Sequence, residues 1–140
     1  MDDGEPDGYD EDYQPQMLEI VPCVAADVES LIVAGRKEGL AFSPSTELFM
    51  ARLNGVIVGL CGIVHYRGHS KLKNFYVLPA HRRQGYFRQM LDFLLIKARE
   101  AQSKYVEATA TALSLPEFLN RGATVKRTYK AGYTAVRLNL

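Results

Sequence analysis

The sequence predicts an α/β domain built on a mixed sheet, and three features carry that reading. Two apolar runs, residues 47–53 and 56–66, are joined by Asn54-Gly55, the dipeptide best suited to a tight hairpin because both residues accept positive φ. Further on, Phe87, Met90, Leu91, Leu94, Leu95, Ala98 and Ala101 recur at spacings of three and four, the stripe of an amphipathic helix. Around them, strand-like and helix-like segments alternate, so both kinds of element must share one core. At 140 residues with 47% hydrophobic side chains, the chain suits one domain.

Residues 1–16, "MDDGEPDGYDEDYQPQ", are acidic and poor in apolar side chains other than Tyr9 and Tyr13. Such a segment buries too little surface to offset the entropy of ordering, so a disordered tail is expected there, with the folded domain over 17–140. "MLEIVP" then reads as a strand, and "AADVESLIVAGRKEG" as a helix with Val28, Leu31, Ile32 and Gly35 on one side and Gly39 closing it. "LAFSPST" is a loop. After the hairpin and the turn "RGHS", "KLKNFYVL" is a further strand leading into Pro79, and the long helix is expected over Gln84–Ser103. "KYVEATAT" is a strand, and "SLPEFLNRG" a short helix with Ser114 as N-cap, Pro116 in its first turn and Gly122 beyond its end. "ATVKRTY" and "YTAVRLNL" close the chain as a hairpin.

Charge is strongly partitioned. Residues 1–35 hold ten acids and no Lys or Arg, whereas residues 36–140 hold all 17 bases against six acids, a net charge of +11. A body of that sign favours anionic ligands, phosphorylated cofactors and nucleic acid among them. The tail could fold over that body and compete with such a ligand. No run approaches the ~20 apolar residues of a membrane helix, and the first residues are acidic where a signal peptide is basic, which points to a soluble, cytoplasmic protein. Cys23 and Cys61 stand 38 positions apart, without metal-like spacing, and read as reduced thiols. His65 and His69 flank a turn and do not share a helix face, which argues against a metal pair.

The stretch "VLPAHRRQGYF", Val77–Phe87, places Pro79, His81, Arg82, Arg83 and Gly85 between a strand and the longest helix. A helix start leaves unpaired N–H groups and a partial positive charge, which attract phosphate. Gly85 lets backbone approach a ligand, and the arginines add charge. The same residues also serve a plain strand-to-helix turn with solvated arginines, and spacing alone does not choose between the two.

The pattern V-x-P-x-x-R-x-x-G at Val77, Pro79, Arg82 and Gly85, followed by a long amphipathic helix, resembles the coenzyme A signature of the GNAT acetyltransferase superfamily. The element order resembles that family from Met17 to Leu140. The resemblance implies a mixed, mostly antiparallel central sheet flanked by helices, with acetyl-CoA or another acyl-coenzyme A as co-substrate. It implies pyrophosphate contacts along Arg82, Arg83, Gln84, Gly85, Tyr86, Phe87 and Arg88, and alignment of the thioester by backbone at Tyr76, Val77 and Leu78. Phe87 departs from the family pattern, which has a small residue there. In "PEFLNRGA", Phe118 stands where a Tyr often protonates the departing thiolate; Tyr76, Tyr105, Tyr129 and Tyr133 are alternative donors. Glu107 is the candidate base for the attacking amine, or else a surface carboxylate paired with a lysine. "LAFSPST" and the last hairpin are expected to shape the acceptor pocket.

The function implied is N-acyl transfer from acyl-coenzyme A to a small-molecule or macromolecular amine. A nucleic-acid-modifying or nucleic-acid-binding protein, suggested by the basic body, and an inactive coenzyme-binding module are the alternatives.

Overall fold

The computed structural model describes residues 16–45 and 47–140. β1 (Glu19–Cys23), β2 (Glu47–Leu53), β3 (Val56–Tyr66), β4 (His69–Val77), β5 (Tyr105–Ala110), β6 (Thr124–Thr128) and β7 (Thr134–Asn139) form one seven-stranded sheet in the order β1-β2-β3-β4-β5-β7-β6. All neighbours are antiparallel except β4 and β5, which run parallel. The parallel step requires a crossover, and α2 (Tyr86–Glu100) supplies it. α1 (Glu29–Lys37) follows a 3₁₀ turn at Ala25–Val28, and α3 (Leu115–Asn120) lies between β5 and β6.

The strands and helices follow the apolar pattern closely. β2 and β3 span the two predicted runs, and Asn54 and Gly55 both take positive φ, 51° and 84°, as the hairpin needs. α2 is shorter than its apolar stripe suggested, because Gly85 is left-handed at φ 81° and the chain turns at Ala101–Gln102. Ser114 stands at the start of α3, yet its side chain does not cap the helix; its Oγ accepts from the Thr111 amide at 3.0 Å. Cys23 and Cys61 are both free thiols, Cys61 buried and Cys23 half-buried. The disordered tail expected over residues 1–16 lies outside the described residues except for Gln16. Gln16 is placed: its carbonyl accepts from Gln89 Nε2 at 2.8 Å.

The two faces of the sheet are covered unequally. α2 and α3 close one face over the larger core, in which Met90, Leu91, Leu94, Leu95 and Phe118 meet Leu72, Val106, Ala108, Val136 and Leu138. α1 covers a smaller cluster on the other face, with Val28 and Leu31 against Leu60 and Tyr76, and Leu48 and Met50 packed around it. Among the strands that cluster draws on β1–β4, and among the described residues no helix covers β5, β7 and β6 on the α1 side.

One residue decides which side chains reach each face near the end of β4. Leu60 pairs with Tyr76 but Gly62 with Lys73, so Asn74 and Phe75 both stand opposite Cys61, a β-bulge. Asn74 takes φ 62° there. Leu72 faces the α2 core before the bulge, Phe75 and Val77 face it afterwards, and Tyr76 turns to the α1 cluster. Strict alternation would have put Leu72, Asn74 and Tyr76 on one face. The Asn74 side chain is fixed by the loop after α1: Oδ1 accepts from the Ser43 amide at 3.2 Å, and Nδ2 donates to Ser43 O and Ser45 Oγ, each at 2.8 Å.

Replacing Asn74 by valine places a β-branched residue at positive φ and removes all three bonds, at a cost of about 2–4 kcal/mol. Glycine keeps the backbone conformation and should cost clearly less than valine. Urea denaturation of Asn74→Val and Asn74→Gly checks the order.

Candidate active site

Beyond the bulge the sheet opens. β4 and β5 pair over three residues on each strand, His69–Lys71 with Tyr105–Glu107. From Leu72 onward β4 has β3 on one side and, among the described residues, no strand on the other, while β5 continues against β7 to Ala110. The β5-facing backbone edge of β4 is therefore available to an extended ligand carrying amides of its own, as a strand edge is to a peptide.

The loop "LPAHRRQG" closes the end of this opening. Leu78 N donates to Val58 O at 2.9 Å, and Pro79–His81 form a 3₁₀ turn. Arg83 and Gly85 both adopt positive φ, 63° and 81°, so the chain curls before entering α2. The first-turn amides of Tyr86 and Phe87 have no carbonyl within the helix to bond, and they sit at its positive end. Curled backbone at a helix start forms a concave site for an anion, and a pyrophosphate suits it.

Side chains around the loop have distinct jobs. Arg82 turns back onto the fold: Nε donates to Val77 O at 2.9 Å, and Nη2 donates to Glu38 Oε1 at 2.8 Å and Oε2 at 3.1 Å. Glu38, the residue after α1, also accepts a hydrogen bond from the Tyr76 hydroxyl, and the Arg82 guanidinium lies 5.5 Å from the centre of the Tyr76 ring. One carboxylate thus binds α1, β4 and the loop together. The Tyr76 and Arg82 bonds hold Glu38 below the usual carboxylate range. Burial, and then the Glu38 bond, push the Tyr76 phenol up to about 12. The Tyr76–Glu38 bond is consequently complete between the carboxylate and tyrosine ranges, weakening as pH falls through the lowered Glu38 value or rises toward about 12.

Arg88 points away from the loop and pairs with Glu117 of α3, Nε and Nη2 reaching Oε2 at 3.0 and 2.9 Å. Tyr86 is buried, and Gln84 lies within the turn. Phe87 packs 4.8 Å from Phe75 and 6.0 Å from Phe118, ring centre to ring centre. The large residue in the loop motif therefore fills the wedge on the α2 side, and Phe118, 2% exposed, is a core residue in the same cluster. Glu107 is on the opposite face, where its Oε2 accepts from Arg137 Nη2 at 2.9 Å. Tyr133 donates to Gly39 O at 3.4 Å, carrying the last hairpin to the end of α1. Tyr105 stacks on His69, and Tyr129 lies beside Arg127.

A cavity of about 530 Å³ lies beside this cluster on the α1 face, lined by Phe42, Ser43, Pro44, Ser45, Asn74 and Arg36 among others. Half of its described lining comes from the segment "LAFSPS" and from α1, the rest from the end of β1 with the turn after it and from β2, β3 and β4. Glu38 has no counterpart in the expectations from sequence; a charged residue after a helix is ordinary, and only its position against Tyr76 and Arg82 marks it.

The sequence profile of the Acetyltransferase (GNAT) family matches residues 9–117. The chain belongs to the GNAT acetyltransferase family. No curated protein matches the sequence. Among solved structures, the chain is similar to a protein of Klebsiella pneumoniae subsp. pneumoniae provisionally assigned as an acyl-CoA N-acyltransferase, with TM-score 0.74, 21% identity, and 89% of this chain and 98% of that one covered. It is also similar to N-acetylglutamate synthase from Neisseria gonorrhoeae, solved with coenzyme A and N-acetyl-glutamate, with TM-score 0.74 and 15% identity over 91% of this chain but only 36% of that one. A GNAT family acetyltransferase from Elizabethkingia anophelis with acetyl-CoA bound gives TM-score 0.65 at 17% identity, covering 88% and 98% of the two chains. At these identities the likeness shows the GNAT fold: a mostly antiparallel sheet flanked by helices, as expected from the motif.

Tyr76 should titrate near 12, and Glu38→Gln should lower it by removing the charge that holds the phenol proton. Ultraviolet difference titration of the wild type, Glu38→Gln and Tyr76→Phe measures both.

Proposed function

We propose that this GNAT protein transfers an acyl group from acyl-coenzyme A to an amine by direct attack. The observation that carries this reading is the union of an open β4 edge with a curled helix start, joined by Val77, Leu78 and Pro79. Acyl-coenzyme A supplies an activated thioester. In this reading the amides from Arg83 to Arg88 receive the pyrophosphate, and the β4 edge at Tyr76, Val77 and Leu78 aligns the arm that carries the acyl group. Arg82 acts mainly by shaping the loop, since its donors are engaged by Val77 and Glu38.

Proton handling falls to Tyr76 and Glu107. Tyr76 keeps its proton throughout the neutral range beside an ionised Glu38, and in this reading its hydroxyl turns from Glu38 to hydrogen-bond the departing sulfur, which takes its proton from solvent. The contribution of any acid is modest because a thiol leaves readily, with a pKa near ~8.5. An attacking amine must be neutral, and in this reading Glu107, which lines a separate hollow with Lys71, Lys126 and Tyr129, takes its proton through water. The cavity under the loop after α1 is the acceptor pocket in this account. Solved relatives with coenzyme A or acetyl-CoA bound support the choice of co-substrate.

Isothermal calorimetry with acetyl-CoA tests the reading. The wild type should bind in the micromolar range, Gly85→Val should lose at least tenfold in affinity because φ 81° excludes a β-branched residue, and Arg82→Ala should weaken binding through a looser loop. Absence of heat with the wild type, or Gly85→Val binding as well as wild type, would refute the cradle.

A further inference from the structure

All six acids of residues 36–140 have a basic partner within 4 Å: Glu38 with Arg82, Glu47 with His65, Asp92 with Arg121, Glu100 with Lys97, Glu107 with Arg137, and Glu117 with Arg88 and Arg121. The +11 of this body is therefore expressed by cations with no carboxylate partner among the described residues. Lys71, Lys126 and Arg127 are three of these, and they converge on the part of the sheet that α1 leaves uncovered. Lys71 and Lys126 line a shallow hollow of about 180 Å³ together with Glu107, Thr109 and Tyr129. Arg127 lies 5.1 Å from the Tyr129 ring centre.

An aromatic stack crosses the same face. Tyr66 lies on His69 at 5.0 Å with 17° between planes, His69 on Tyr105 at 4.9 Å with 8°, and Arg137 covers the far side of Tyr105 at 4.0 Å. The stack has a closed end at Arg137 and an open one at Tyr66, which is 51% exposed. Among the described residues its only carboxylate is Glu107, which is neutralised by Arg137.

We infer that this face, formed by β4, β5, β7 and β6, binds single-stranded nucleic acid, with phosphates on Lys71, Lys126 and Arg127 and a base continuing the stack on Tyr66. Charge complementarity selects a polyanion, and the open aromatic end selects one with flat rings over an acidic peptide or a lipid headgroup. A single strand suits the surface better than a duplex: four strands at ~4.8 Å spacing make a shallow platform, and among the described residues no helix projects from it to enter a major groove. The inference goes beyond acyl transfer and stands or falls separately from it.

Fluorescence anisotropy of a labelled 15-nucleotide oligothymidylate with the full chain tests this. Binding through about three phosphates should fall with a log–log salt slope near −2, roughly twentyfold between 50 and 200 mM salt. Lys71→Ala/Lys126→Ala/Arg127→Ala should flatten the slope and weaken binding at least tenfold at 50 mM, and Tyr66→Ala should weaken it severalfold without changing the slope. Arg99→Ala, in the last turn of α2, is the control and should change neither. No binding by the wild type at 50 mM, or an unchanged slope in the triple variant, would overturn the proposal. So would equal competition by poly-glutamate or by anionic phosphatidylserine vesicles. Acetyl-CoA calorimetry on the same triple variant separates the two readings, since its affinity should remain that of the wild type.

Discussion

The bulge at Asn74 is the constraint on which the rest of the site depends. One extra residue in β4 reverses the alternation of its side chains, so Phe75 and Val77 enter the α2 core while Tyr76 crosses to the α1 cluster. Without that reversal Tyr76 could not meet Glu38, and Arg82 would lose the partner that fixes it beside Val77. The cost of positive φ at a non-glycine residue is met by hydrogen bonds from the loop after α1, so the loop that lines the cavity on the α1 face also enforces the geometry of the strand.

From this follows a division of labour between the two faces. The α2 side is apolar and packed to the end of β4, where Phe75, Phe87 and Phe118 fill the space between diverging strands. The α1 side is polar beyond the small cluster under α1. A ligand lying along the open β4 edge would have hydrophobic support behind it and ionisable groups in front. Glu38 ties three elements into one unit at that point, so a disturbance of α1 should be felt in the loop.

Much of the fold was legible because its signals are local. The Asn54-Gly55 hairpin depends on two residues that accept positive φ, and the α2 stripe on a helical period, so both could be read without knowing their neighbours. The family signature was similarly local, running from Val77 to Gly85. The site was less legible because its decisive contacts are distant in sequence. Glu38 and Tyr76 are 38 positions apart, and nothing in either segment announces the other. Phe87 and Phe118 read as departures from the family pattern when taken singly; together with Phe75 they form one aromatic cluster, a compensation that only packing reveals. An asparagine inside a strand was an available hint of the bulge, since Asn tolerates left-handed backbone, but its consequence for side-chain parity needed the β3 register.

The most direct test of the account is residue-resolved: amide chemical shifts of ¹⁵N-labelled protein titrated with acetyl-CoA. The account predicts the largest changes at Arg83–Phe87 and along β4 from Phe75 to Leu78, with β1 and β6 little affected. Shifts confined to other regions, or none at millimolar acetyl-CoA, would contradict it.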